Sequence, residues 1–242
     1  MPIGWHRTCA SPRSSSAASP RPPDGPSRSE PTSALLSPES IAEQPQVRRI
    51  IESQDADGSW RRMHSADTSM RQHPATTEIA VRTLVSLGVP RALPDLQGAK
   101  SYLERLISDL SLSPDPPEAN GRWPIGTELF TASTLALIVP DNERLDGPIG
   151  RWAEIALAAF SSGEHRLRDE QEAHRRVHSL TEALGYIRIS AGYAVELLGS
   201  RATSLPAAVR PRYAEWLSKI PQPSALVRAI CEWSLRTHGS CR

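Results

Sequence analysis

From Val47 onward the apolar positions recur at helical spacing, and no stretch shows convincing period-two alternation. The clearest amphipathic segment is 95–110, where Leu96, Ala99, Leu103, Leu106, Ile107 and Leu110 share one stripe. Lys100, Glu104, Arg105 and Asp109 fall off that stripe; Pro94 suits the helix start, and Pro114 lies past its end. The segment 127–139 is of another kind, with no charge between Glu128 and Asp141, as expected of a helix buried on most sides. The segment 183–199 is similar, its only charges being Arg188 and Glu196. Between them 148–160 is amphipathic, and two further helices are expected over 207–219 and 223–237. Amphipathic and nearly uncharged helices thus alternate, a pattern that a two-layer helical barrel produces.

Two stretches repeat. Val47 to Gln54 reads as a helix end, and Asp55-Ala-Asp57-Gly58-Ser59-Trp60 as a sharp turn for which Asp-Gly supplies the backbone freedom. Thr76-Thr77-Glu78-Ile79 then opens a helix, with a threonine cap and an acid at the positive end of the dipole. The second copy is Asn120-Gly121-Arg122-Trp123, followed by Gly126-Thr127-Glu128-Leu129. Gly58 and Gly121 are 63 residues apart, so each copy carries an irregular insertion, 61–75 in the first and 111–119 in the second.

Ile50-x3-Gln54-x3-Gly58-x-Trp60 is similar to the core of the QW motif of squalene and oxidosqualene cyclases. Ala99-x2-Tyr102-Leu103 resembles the start of that motif and Gly121-x-Trp123 its end, although Ile107 stands where the glutamine belongs. The resemblance to the terpenoid cyclase and protein prenyltransferase superfamily implies an α/α-toroid, with Gln54 and Trp60 tying one helical hairpin to the next. The expected fold is therefore all-α: a toroid-like repeat of helical hairpins over 46–242, behind a disordered Pro/Ser-rich extension over 1–45. About eight helices fall short of the ten to twelve of a closed ring, so the toroid is incomplete or is completed by a partner chain.

The chemistry that the resemblance implies is missing from the chain. There is no Asp-x-Asp-Asp run to protonate an alkene, no Asp-Asp-x-x-Asp for magnesium and diphosphate, and no Asp-x-Cys or Cys-His-Gly zinc motif. Asp55-Ala-Asp57 belongs to the turn. His174-x3-His178, with Glu170 one turn earlier, has helical metal-ligand spacing, but its charge-dense surroundings fit a solvated helix or linker. No metal and no cofactor are assigned. Glu78 and Glu128, at matching helix starts, are the candidate cavity acids, with helix capping as the plainer role. Only two Phe and four Tyr occur, few for a cavity that must stabilise a carbocation.

Composition narrows the rest. Twenty-eight basic against 27 acidic side chains leave +1, which gives no field for nucleic acid. No run of 18 apolar residues could span a membrane, and three scattered cysteines form no disulfide framework. The expectation is a cytoplasmic protein, the alternatives being organelle targeting, since the first 23 residues hold arginines but no acid, or peripheral membrane attachment. The leading functional expectation is a cyclase- or prenyltransferase-like domain that binds an apolar isoprenoid-type ligand or a protein partner. An active terpenoid cyclase or prenyltransferase with an unrecognised acid and a structural helical-repeat interaction module are the alternatives.

Overall fold

In the computed structural model, which describes residues 38–64, 76–116, 123–179, 187–201 and 203–220, every regular element is a helix. All of them lie in the second of the two units into which the chain divides, Leu36–Arg242. The helices are α1 (Pro38–Ala42), α2 (Pro45–Glu52), α3 (Thr77–Ser86), α4 (Pro94–Ser108), α5 (Trp123–Ile138), α6 (Asp146–Ala159), α7 (Leu167–Val177), α8 (Gly192–Gly199) and α9 (Arg210–Lys219). The helix expected over 223–237 lies outside the described residues. Residues 38–42, assigned by composition to the disordered extension, form α1, and Ile41 packs on the core.

Helix α5 is the centre, packed against α3, α4 and α8, while α6 packs against α7 and α8. Its burial explains its lack of charge: Leu129, Ala132 and Leu135 are fully enclosed. The buried hydroxyls of Thr131 and Thr134 are satisfied by donating to the carbonyls of Thr127 (2.8 Å) and Phe130 (2.7 Å), one turn back. The apolar stripe of α4 is also inside, through Leu96, Ala99, Leu103 and Leu106.

Gln54, Gly58 and Trp60 join α2 to α4 and to the start of α3. The Gln54 side-chain amide donates to the Gly58 carbonyl and to the Asp95 carbonyl at the start of α4, both at 2.9 Å. Gly58 has φ +90°, and a Cβ there would lie 2.2 Å from the Gly98 carbonyl oxygen, so only glycine fits. The buried Trp60 indole donates to the Ile50 carbonyl at 2.8 Å, and the Trp60 backbone N–H donates to Thr77 Oγ1 at 2.9 Å.

The second copy is built differently. Gly121 lies outside the described residues, and Trp123 is the first residue of α5 rather than part of a turn before it. Pro124, pre-set for a first helical turn, allows the helix to begin there. Thr127 and Glu128 therefore sit one turn inside α5, whereas Thr76 caps α3 by accepting from the Ile79 N–H.

Two further expectations are corrected. Of the helix read over 183–199, residues 183–186 lie outside the described residues, 187–191 are not helical and Gly192–Gly199 forms α8, because tertiary partners take the backbone groups just before it. Ile189 donates its N–H to Glu170 Oε1 (2.9 Å), and its carbonyl accepts from the Tyr213 hydroxyl (2.6 Å). The charge-dense 164–176 run is not a solvated face throughout: it forms α7, which buries Glu170, Ala173 and His174.

Candidate functional site

The N-terminus of α3 needs partners for its first N–H groups, and the loop after Trp60 supplies them. The carbonyls of Arg62 and Met63 accept from the N–H groups of Thr77 (2.8 Å) and Glu78 (3.1 Å). The buried Asp115 carboxylate holds the same loop from the other side, accepting from the N–H groups of Met63 (3.1 Å) and His64 (2.7 Å). Burial pushes the Asp115 carboxyl above the ordinary carboxylate range in spite of those two donors. The two insertions that the sequence left irregular thus meet, and their meeting sets His64 beside Glu78.

Glu78 is the hub. His64 Nδ1 lies 2.5 Å from one carboxylate oxygen, and Arg82 Nε, one turn along α3, donates to the other at 2.8 Å. The Arg82 guanidinium also forks onto both oxygens of the buried Glu196 in α8, with Nη2 at 2.5 Å from Oε2. Burial alone would raise the Glu78 carboxyl; the His64 hydrogen bond and the Arg82 charge outweigh it and hold the group below the ordinary range. Burial keeps Glu196 above that range, while Arg82, flanked by two carboxylates, is held more firmly protonated than usual.

Aromatic rings line this network. His64 and Phe130 of α5 have centroids 4.0 Å apart, Phe130 and Tyr193 of α8 4.6 Å, and His64 meets Tyr193 edge-on at 5.8 Å. The Arg82 guanidinium lies 4.9 Å from the Tyr193 ring centre. Burial and the Glu78 carboxylate push the Tyr193 hydroxyl up, so it stays neutral. A Cβ at Gly126 would come within 3.1 Å of the Phe130 ring, so glycine leaves that ring its place against α5. His64, Phe130, Tyr193 and Ile187 are half-buried, forming an aromatic face backed by buried charge.

The two candidate acids do not share this site. Glu128 faces α6, where Arg151 Nε donates to it at 3.1 Å, in addition to a second contact from the same guanidinium. Glu78 does not reach back to cap α3; its carboxylate is spent on His64 and Arg82. The residues that sequence reasoning missed are His64, Arg82, Asp115, Phe130, Tyr193 and Glu196. Glu196 alone left a signal: a carboxylate in a nearly uncharged segment demands a buried partner.

Glu170 and His174 of α7 and His178 just past its end, the residues with metal-ligand spacing, do not converge on one point. Glu170 accepts from Arg188 and the Ile189 N–H and contacts His165 Nε2 at 2.7 Å. The His174 and His178 rings stack on one another, centroids 5.6 Å apart, and lie against Trp152. Burial, with the charges of His178 and Arg188, drives the His174 pKa down to about 3, and burial lowers His178 as well. Among the described residues no group of three His, Cys, Asp or Glu side chains is placed to hold a metal ion, and no helix is long and apolar enough to cross a membrane.

No family model matches the chain, and no curated protein and no solved structure is similar to it.

Proposed function

We propose that this chain is a terpenoid-cyclase-like, toroid-type helical domain that binds an apolar isoprenoid-type ligand without cyclising it. In this reading α3, α5 and α8 belong to the inner layer, and α2, α4 and α6 to the outer one. The observation that carries the reading is the half-buried aromatic face of His64, Phe130 and Tyr193, contributed from three separate parts of the chain. One of only two phenylalanines in the chain is spent there. Half-buried aromatic rings suit contact with an apolar body.

The state of the acids argues for binding over cyclisation. Protonating an alkene requires a carboxylic acid that holds a proton ready to give. Glu78 is held ionised by His64 and Arg82, and both oxygens of Glu196 are taken by Arg82. Native mass spectrometry after incubation with a lipid extract tests the reading. The expected result is retention of an apolar species by the wild type and its loss from Phe130→Ala. Recovery of a cyclised or transferred product from a polyprenyl diphosphate would instead favour the active enzyme. No retained species would leave a purely structural interaction module.

A further inference from the structure

Resting on that reading, we infer that the ligand carries an uncharged hydroxyl headgroup and not a diphosphate. The charges at the site set this choice. Among the described residues, and with the His64 ring neutral, three carboxylates, Glu78, Glu196 and Asp115, stand against two guanidinium groups, Arg82 and Arg62, the latter acting on Asp115 through its charge. The balance is negative, and a multiply charged anion seated on the aromatic face would meet net repulsion. Arg82, the guanidinium that lies over the Tyr193 ring, is already committed to two carboxylates.

A diphosphate can also be held through magnesium bridged by free carboxylates. Here all six carboxylate oxygens are engaged. Those of Glu78 go to Arg82 and His64, those of Glu196 to Arg82, and those of Asp115 to the N–H groups of Met63 and His64. Freeing any of them would strip the partner that compensates its burial.

His64 provides the complementary headgroup contact. Its Nδ1 faces the Glu78 carboxylate, which fixes the proton on that nitrogen. In the neutral ring Nε2 then carries a lone pair, the acceptor for a hydroxyl hydrogen. A prenyl alcohol lying on Phe130 and Tyr193 with its O–H toward His64 satisfies both the apolar and the polar part of the site.

Calorimetric titration of the full chain with geraniol, and with geranyl diphosphate in the presence and absence of magnesium, tests this. The inference expects geraniol to bind at least about tenfold more tightly than the diphosphate under both conditions. His64→Phe, which keeps an aromatic ring in place, should weaken geraniol by about tenfold through loss of one hydrogen bond. Equal or tighter binding of geranyl diphosphate overturns the headgroup assignment while leaving the apolar site standing. Binding of neither compound overturns the proposed function and this inference together.

Discussion

Arg82 of α3 and Glu196 of α8, 114 residues apart in the chain, form a two-pronged ion pair in which the carboxylate is almost wholly enclosed. It links α3 to α8 through charge. The same guanidinium holds Glu78, so the three side chains act as a unit. Arg82→Ala would leave two buried carboxylates facing one another, and is expected to cost roughly 3–5 kcal/mol in urea unfolding. Glu196→Gln leaves Arg82 paired with Glu78 and should cost clearly less. Equal losses in the two variants would show that the three groups are not coupled.

Two glycines give opposite expectations from the same substitution. Gly58→Ala places a Cβ against the Gly98 carbonyl at a positive φ, and should destabilise by more than about 2 kcal/mol. Gly150, inside α6, has nothing within 4 Å of an added Cβ, so Gly150→Ala should stabilise by about 0.5–1 kcal/mol. Thermal melts of the two variants side by side check both signs.

Trp60 fills the core and closes the end of α2 through its indole N–H. Trp60→Ala is expected to cost roughly 3–5 kcal/mol. Trp60→Phe keeps most of the volume and removes one of the donors to the Ile50 carbonyl, which the Ser53 hydroxyl still serves at 2.7 Å, a loss of about 0.5–1.5 kcal/mol. A wild-type melting temperature in Trp60→Ala would refute the role of this turn.

Acid should weaken the fold before the ordinary carboxylates titrate. The His174 pKa lies at about 3 in the folded chain, against 6.5 as its ordinary value. Between those values the unfolded chain takes up a proton that the folded chain refuses. The stabilisation from the neutral ring is therefore complete above pH 6.5 and is lost as pH falls toward 3, at up to about 1.4 kcal/mol per pH unit. His178 adds to the same limb. Glu78, held low, adds stability that is present above its ordinary pKa of 4.5 and is lost only below it. His174→Phe should flatten the fall in melting temperature between pH 6.5 and 5 and lessen it down to about pH 3, leaving below 4.5 the part that the carboxylates contribute. An unchanged slope between pH 6.5 and 5 would contradict the burial of a neutral ring.

What the sequence made legible was local. The stripe of α4, the bare interior helix α5 and the Gln54–Gly58–Trp60 turn follow from periodicity and from residue chemistry at fixed spacing. What it hid depends on distant partners. The start of α8 is delayed because Glu170 and Tyr213 capture the Ile189 backbone, groups from other helices that no window around 183–199 contains. The two Thr-Glu starts looked equivalent because the local letters match, yet Pro124 moves one helix start upstream and separates them. His64 and Asp115 lay in stretches read as insertions. Neither shows a pattern along the chain; each becomes meaningful only where the two loops meet over α3.

The central claim, that the face made by His64, Phe130 and Tyr193 holds an apolar isoprenoid-type ligand, is tested most directly by photolabelling. The full chain would be irradiated with a diazirine-bearing prenyl alcohol, and the adducts mapped by peptide mass spectrometry. Labelling concentrated on the peptides of His64, Phe130 and Tyr193, and displaced by excess geraniol, is the predicted result. Labelling that is absent from those peptides, or that geraniol does not compete away, would contradict it.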